Sequence, residues 1–441
     1  MTSASPSLEA SAAKPPTSGG STALPEAAPG VWLRLSALVA ASGTLLAVIS
    51  GASHLDTTHR LLAALVAPPL GALVTSAWWT HRRLVPSTLA AATLFAAAAT
   101  FPGRGSVHIG LAALALAALC VVAVQSFHGE RTPVGEGGEV RPDARGLAGG
   151  VVRLRGAWRD YVTLTKPRIM SLLLITGFCG MIAGARGWPG AERAVAAMVG
   201  LALACGGASA LNHVLDRDID PLMGERTSRR PVASGRVAAS RAVEFGLALT
   251  AFSFVLLAST VNVLTAFLAL AGGLFYVVVY TRLLKRSTPQ NIVIGGAAGA
   301  VPPLVGWAAA TGHLGLAAWL LFAIVFVWTP PHFWALALLI KDKYASANVP
   351  MLPVVRGERE TARQIFVYSL GLVAVTLLPW GLGGAGPFYV VSALALGAVF
   401  VWLAERLRRD LTPRRAMLLF HYSLLYLALL FAALAVDAVI S

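Results

Sequence analysis

Apolar and polar residues along this chain are segregated into long blocks. Runs of about 18 or more nearly uncharged residues, long enough to cross a bilayer as helices, fall at about 31–50, 59–79, 84–101 and 107–127. A charged, glycine-rich stretch at 128–160, opening with HGERTPVGEGGEVRPDARGLAGG, interrupts them and reads as a linker. Nine further runs follow, at about 166–185, 193–212, 241–259, 262–281, 290–311, 314–334, 363–383, 386–404 and 416–438. Irregular backbone cannot face lipid, so each run is expected to be helical. The predicted fold is an all-α polytopic membrane protein of about thirteen spans. A tail at 1–30, rich in Ala, Ser, Pro and Gly and expected to be disordered, lacks the charged start and apolar core of a secretory signal. It leads into a four-helix domain at 31–127, the linker, and a nine-helix domain at 161–441.

Composition agrees. The chain of 441 residues is 56% hydrophobic and 12% charged, with a mean hydropathy of +0.71. Soluble proteins carry roughly 25% charged residues, so an ordinary cytosolic enzyme and a disordered chain are both excluded. Lys and Arg number 35 against 20 Asp and Glu, a net charge of +15. Such an excess points either to nucleic acid or to the cytoplasmic bias that orients membrane proteins. With the N-terminus inside, 31 of the 35 cations fall in inside segments, and only Arg60, Arg104, Arg186 and Arg193 lie outside. The asymmetry supports the span count, favours topology, and leaves no role for nucleic acid. Cys120, Cys179 and Cys205 stand singly in apolar stretches, with no CxxC pair and no disulfide framework.

The segment LNHVLDRDIDPLMGERTSRRPVASGR, residues 211–236, carries the most chemistry. Asn212, Asp216 and Asp220 are spaced i, i+4, i+8, which on a helix stacks them along one face. Two carboxylates and an amide oxygen form a hard oxygen cluster suited to Mg²⁺, which leaves positions for substrate phosphate. Arg217, Arg226, Arg229, Arg230 and Arg236 surround it, and Arg pairs readily with phosphate. A solvated, self-neutralised loop would carry the same charges; the position directly after a span favours metal–diphosphate binding.

Three more polar stretches are expected on the same membrane face. TKPRI puts Lys166 and Arg168 at the entry of the first span after the linker, either as positive anchors or as phosphate ligands. YTRLLKRSTPQNIVIGG adds Arg282, Lys285, Arg286 and Asn291, with Gly and Ala that permit close helix packing. WTPPHFWALALLIKDKY places His332 near the inner end of a span, with Asp342, Lys343 and Tyr344 about three turns on. Its Pro330 and Pro331 are expected to break or kink the helix. Polar loops on one face of an apolar bundle suit a lipidic diphosphate, charged head at the rim and hydrocarbon tail between helices.

With TKPRI, NHVLDRDIDPLMGERTSRRPVASG, YTRLLKRSTPQNIVIGG, PPLVGW, WTPPHFWALAL and VPMLPVV, residues of about 160–440 resemble the protoheme IX farnesyltransferase (heme O synthase) branch of the UbiA superfamily of intramembrane prenyltransferases. NxxxDxxxD alone points only to the superfamily; WTPPHFW and VPMLPVV point to the heme-modifying branch. The resemblance implies nine helices around a central cavity in the inner (cytoplasmic) membrane of a bacterium, with the site on the cytoplasmic face. It implies farnesyl transfer from farnesyl diphosphate to a vinyl group of heme B, with Mg²⁺ and the diphosphate on Asn212, Asp216 and Asp220. Lys166, Arg168 and nearby arginines would neutralise the leaving group. Many superfamily members carry a second DxxxD; here KDKYASANVP leaves Asp342 without a carboxylate at i+4. Asp342, Lys343 and Tyr344 are then expected to position substrate, and His332 to contact heme. A quinone-pathway aromatic prenyltransferase and a non-catalytic heme carrier or transporter are the rival readings.

His59 and His108 open the second and fourth spans of the first domain, both on the predicted outer side. Paired imidazoles suit heme iron. The segment resembles one four-helix half of heme A synthase, on His59–Arg60, His108 and the spacing, without the paired cysteines of the first outer loop. The resemblance implies bound heme or hand-over of product, with heme A synthase as a partner.

Overall fold

The structure, a computed structural model, describes residues 158–441 and, before them, residues 40, 70, 74, 88, 89, 91–93 and 115, all helical. The predicted tail, the rest of the four-helix domain with His59 and His108, and the linker up to residue 157 lie outside the described residues.

Among the described residues, nine helices are long and apolar enough to cross a membrane. They are α1 Pro167–Ala185, α2 Ala191–Leu215, α3 Ala239–Thr260, α4 Val263–Leu284, α5 Asn291–Thr311, α6 Leu316–Leu339, α7 Gly357–Gly381, α8 Pro387–Arg409 and α9 Pro413–Ile440. The protein is an integral membrane protein, and all nine predicted spans are present, with ends shifted by a few residues. Residues 158–160, assigned above to the linker, already belong to a helical segment that runs to residue 165.

Nine successive crossings alternate in direction. The start of α1 and the ends of α2, α4 and α6 therefore meet on one side. That side also holds all the Lys and Arg of residues 158–441 except Arg186 and Arg193. Small residues set how closely the helices approach. A Cβ on Gly306 of α5 would lie 1.8 Å from the Gly177 carbonyl of α1, and one on Gly207 of α2 would lie 2.6 Å from the Gly246 carbonyl of α3. Larger side chains at these crossings would force the helices apart. Helices α6 to α9 share the largest core, with Tyr389, Phe400, Tyr426 and Phe431 almost wholly buried.

Three expectations are corrected in detail. Helix α2 ends at Leu215, so Asn212, Asp216 and Asp220 do not ride one continuous helix. Asp216 caps it, and a further turn, with Asp216 N–H donating to Asn212 O and Asp220 N–H to Asp216 O, both at 2.9 Å, keeps the two carboxylates on one side. Pro330 and Pro331 do not break α6, which continues through both to Leu339. In α4 the α-helix runs only to Leu274, and Phe275–Leu284 form a π-helix.

Candidate functional site

The polar site is assembled where these helix ends meet. Asn212, Asp216 and Asp220 are all buried. Lys166, the residue before Pro167, takes a left-handed backbone with φ 52° and ψ 57°, a strained conformation for a non-glycine residue that costs on the order of 1 kcal/mol. Its Nζ donates to Asn212 Oδ1 at 2.7 Å. Asn212 Nδ2 donates in turn to Asp216 Oδ2 at 2.9 Å and to Thr281 Oγ at 3.2 Å. Lys285 Nζ reaches Asp216 Oδ2 at 2.6 Å, and Arg230 reaches Asp220 Oδ1 at 2.6 Å. The structure thus gathers Lys166, Asn212, Asp216 and Lys285 into one network, with the Asp220–Arg230 pair one turn beyond it, tied in through the Asp220 N–H bond to the Asp216 carbonyl.

The π-helix explains how α4 takes part. Tyr276 and Lys285 lie nine residues apart, which is two and a half α-helical turns and would put them on opposite faces. Bonds of the i→i+5 type, such as Lys285 N–H to Tyr280 O at 2.8 Å, widen the turn so that the same nine residues make about two turns. Tyr276, Tyr280, Thr281 and Lys285 are thereby brought to the site side. Thr281 Oγ donates to Tyr276 O at 2.9 Å, and Asn291 Nδ2 donates to the Lys285 carbonyl at 3.3 Å, steadying the end of the segment.

Electrostatics follow from this crowding. Burial, reinforced by the Arg230 charge, pulls Lys166 down to about 7. Burial also raises Asp220 above the usual carboxylate range, against the pull of Arg230. Asp218, at the surface, is held at about 2 by its two hydrogen bonds from Arg286 at 2.6 and 2.7 Å. Arg286 also donates to the Leu215 carbonyl at 2.7 Å, so it fastens the end of α2 instead of joining the buried network.

Other candidates sit elsewhere. Arg217, Arg226 and Arg282 are exposed and bond neither buried carboxylate. Asp342 and Lys343 are exposed on the short helix Lys341–Ser346. Tyr344 is buried beside Ile219, Ile292 and Met351, which pushes its phenol up to about 12. Ser346 Oγ donates to the Leu222 carbonyl at 3.0 Å. The second loop therefore packs over the first, and its Asp342 is exposed.

Beside the network lies a cavity of about 470 Å³, lined by Lys166, Arg168, Tyr276 and Tyr280 and then by apolar side chains such as Leu172, Leu201, Val301 and Leu427. Leu201 stands fourteen residues before the end of α2, so the cavity runs roughly 20 Å along the helix axes. His332, Trp328 and Phe420 also line it. Sequence reasoning missed Thr281, Tyr276 and Tyr280 as site residues. Thr281, four residues before Lys285, was within reach of a 3.6-residue period; Tyr280 and Tyr276, five and nine residues before it, were not aligned with it by that period.

Among the described residues no cluster holds three or more His, Cys, Asp or Glu side chains in reach of one metal ion. What the site offers is two carboxylate oxygens, Asp216 Oδ1 and Asp220 Oδ2, both buried and without a hydrogen-bond partner. Unpartnered buried carboxylate oxygens are costly, and hard oxygens of this kind suit Mg²⁺. The Asn212 oxygen is already engaged by Lys166.

Residues 173–434 match the UbiA prenyltransferase family. Protoheme IX farnesyltransferase 1 of Pseudomonas putida (strain W619) is 52% identical over 283 residues, which cover 64% of this chain and 95% of that one. The protoheme IX farnesyltransferase of Thermus thermophilus is 50% identical over 308 residues, covering 70% of this chain and 49% of that one, so the chain spans about half the length of this relative. That of Roseiflexus sp. (strain RS-1) is 48% identical over 338 residues, covering 76% and 62%. A solved structure of digeranylgeranylglyceryl phosphate synthase superposes with a TM-score of 0.55 at 16% identity, over 64% of this chain and 99% of that one, a likeness of fold. With nine membrane-length helices among its described residues and buried carboxylates at the end of α2, the chain belongs to the UbiA prenyltransferase family.

Proposed function

We propose that this protein transfers the farnesyl group of farnesyl diphosphate to a vinyl group of heme B, giving heme O and diphosphate. The observation that carries the reading is the buried pair Asp216 and Asp220, ringed by Lys166, Lys285 and Arg230 at one end of an apolar cavity. The match to relatives named protoheme IX farnesyltransferase supports the choice of acceptor. Cations beside a hydrocarbon-lined space suit a molecule with an anionic head and an apolar tail.

Asp216 and Asp220 would hold Mg²⁺ through their two unpartnered oxygens, and the ion would supply positive charge against the departing diphosphate. The chain's own residues do the rest. Lys166, Lys285 and Arg230 bind the diphosphate oxygens, and Asn212 keeps Lys166 and Asp216 in register. As the allylic C–O bond breaks, these fixed cations stabilise the charge that builds on the leaving group. The faces of Tyr276 and Tyr280, stacked 5.6 Å apart, line the adjoining cavity and favour the carbocation-like carbon over water. That carbon bonds to the terminal vinyl carbon of heme, and water adds to the other vinyl carbon with loss of a proton. The apolar walls keep bulk water from intercepting the allyl cation first.

The cation-rich side faces the cytoplasm in this reading, with the N-terminus inside and the protein in the inner membrane. His59 and His108 bind a second heme in the N-terminal domain and pass product towards heme A synthase. A lost heme absorption band in the full-length His59→Ala/His108→Ala variant would support that role.

The test is expression in a host lacking its own heme O synthase, followed by heme extraction and chromatography. Farnesylated heme should appear with the wild type and be absent with Asp216→Ala. Folded wild-type protein that yields only heme B would overturn the reading in favour of a heme carrier. A prenylated aromatic quinone precursor in its place would favour the quinone-pathway reading.

A further inference from the structure

His332 is 7% exposed and held on both faces, by the Trp328 ring at 4.3 Å and 15° and by the Phe420 ring at 4.9 Å and 21°. A ring clamped in this way has only its edges left for chemistry. One edge is committed: Nδ1 lies 2.6 Å from Ser423 Oγ of α9. The Ser423 hydroxyl has a single hydrogen, which it donates to the Phe420 carbonyl at 2.7 Å. Its oxygen can then only accept from the imidazole, so Nδ1 carries the proton and Nε2 carries the lone pair. Trp328 Nε1 donates to the Ser423 carbonyl at 2.9 Å, tying one clamp ring to the residue that sets the tautomer. Among the described residues no group bonds Nε2, and His332 lines the cavity.

A histidine present only for packing would need none of this. An imidazole with Nδ1–H bonded to an acceptor and Nε2 bare is the arrangement that a hydrogen-bonded neighbour imposes on a metal-ligating histidine. The cavity lining has other groups able to bind iron, the Cys205 thiol, the Met170 thioether, the Tyr276 and Tyr280 phenols and the Lys166 amine; Lys166 is engaged by Asn212, and among the described residues none of the others has a hydrogen-bond partner that orients it.

We infer that His332 Nε2 is the axial ligand to the iron of the tetrapyrrole substrate, and that Ser423 is the positioning residue that presents it. The inference rests on heme as the acceptor. Ligation from the α6–α9 side anchors the macrocycle at a fixed depth, and rotation about the iron–nitrogen bond then decides which vinyl group faces the cationic end.

The experiment titrates the full-length protein in nanodiscs with ferrous heme B, without prenyl diphosphate, and reads absorption and the iron–imidazole stretch by resonance Raman. His59 and His108 are common to every sample, so the difference between wild type and variant reports on His332. The wild type should give a five-coordinate imidazole complex. His332→Gly should lose it and regain it with added imidazole. Ser423→Ala should keep the ligand but lower the stretching frequency and weaken heme affinity about tenfold or more. An imidazole-type spectrum in His332→Gly equal to the wild type would overturn the inference, as would Ser423→Ala with unchanged stretch and affinity. If His332→Gly does not fold, Ser423→Ala decides by the same two readings. A His332-dependent spectrum with no farnesylated product would keep the ligand and remove the proposed activity; product without a His332-dependent spectrum would do the reverse.

Discussion

Where α1, α2 and α4 bound the cavity, side chains from three separate segments are cross-linked around one amide: Lys166, Asn212, Asp216, Thr281 and Lys285 each bond at least one other. Where α6 and α9 bound it, aromatic rings enclose a single imidazole whose one protein bond goes to a serine. The first wall stores opposed charges in a buried place, so removing any member strands another. The second stores no net charge, and among the described α6 and α9 residues that line the cavity the polar atom left without a partner is the imidazole Nε2. Damage to the two walls should therefore differ in kind: loss of stability together with diphosphate binding on the first, loss of acceptor handling alone on the second.

The largest effect should come from Lys285→Met, which leaves Asp216 buried with its ammonium partner gone. Breaking a buried pair costs about 3–5 kcal/mol, so the melting temperature should fall markedly and product formation should drop at least a hundredfold. A variant that melts like the wild type would show the walls to be energetically alike. Next comes pH. Lys166 titrates near 7, where Arg230 and Lys285 oppose its charge and Asp216 and Asp220 favour it. Its protonated form is present below pH 7 and lost above it. Farnesyl diphosphate affinity, measured calorimetrically in EDTA, should weaken by up to about tenfold per pH unit above 7. Lys166→Met should flatten that profile, whereas Ser423→Ala, on the other wall, should leave it unchanged. The smallest effect belongs to Asp342→Ala: the exposed carboxylate should alter the rate of heme farnesylation by less than about threefold, as for surface changes in general. A large loss would bring the second loop back into the site.

The spans were legible because bilayer thickness writes itself into sequence as run length, and α1 to α9 match the predicted runs closely. The carboxylates were legible because NxxxDxxxD is local. Ser423 was not, because it lies 91 residues from His332 and no short-range pattern joins them. That Asp342, Arg217, Arg226 and Arg282 lie exposed, outside the buried network, was not legible either, since charge near a span end looks the same whether it turns in or out. Pro330 and Pro331 misled because a buried membrane helix with packed neighbours can absorb missing amide donors.

The widened turn in α4 also has a consequence for anyone mapping this helix. A scan of single cysteines along 263–284, read by accessibility to a membrane-permeant thiol reagent, should oscillate every 3.6 residues up to Leu274 and about every 4.4 thereafter. Deleting one residue beyond that point would act as a gear change, turning Lys285 and Arg286 together away from Asp216 and Asp218 while leaving the hydropathy profile almost untouched.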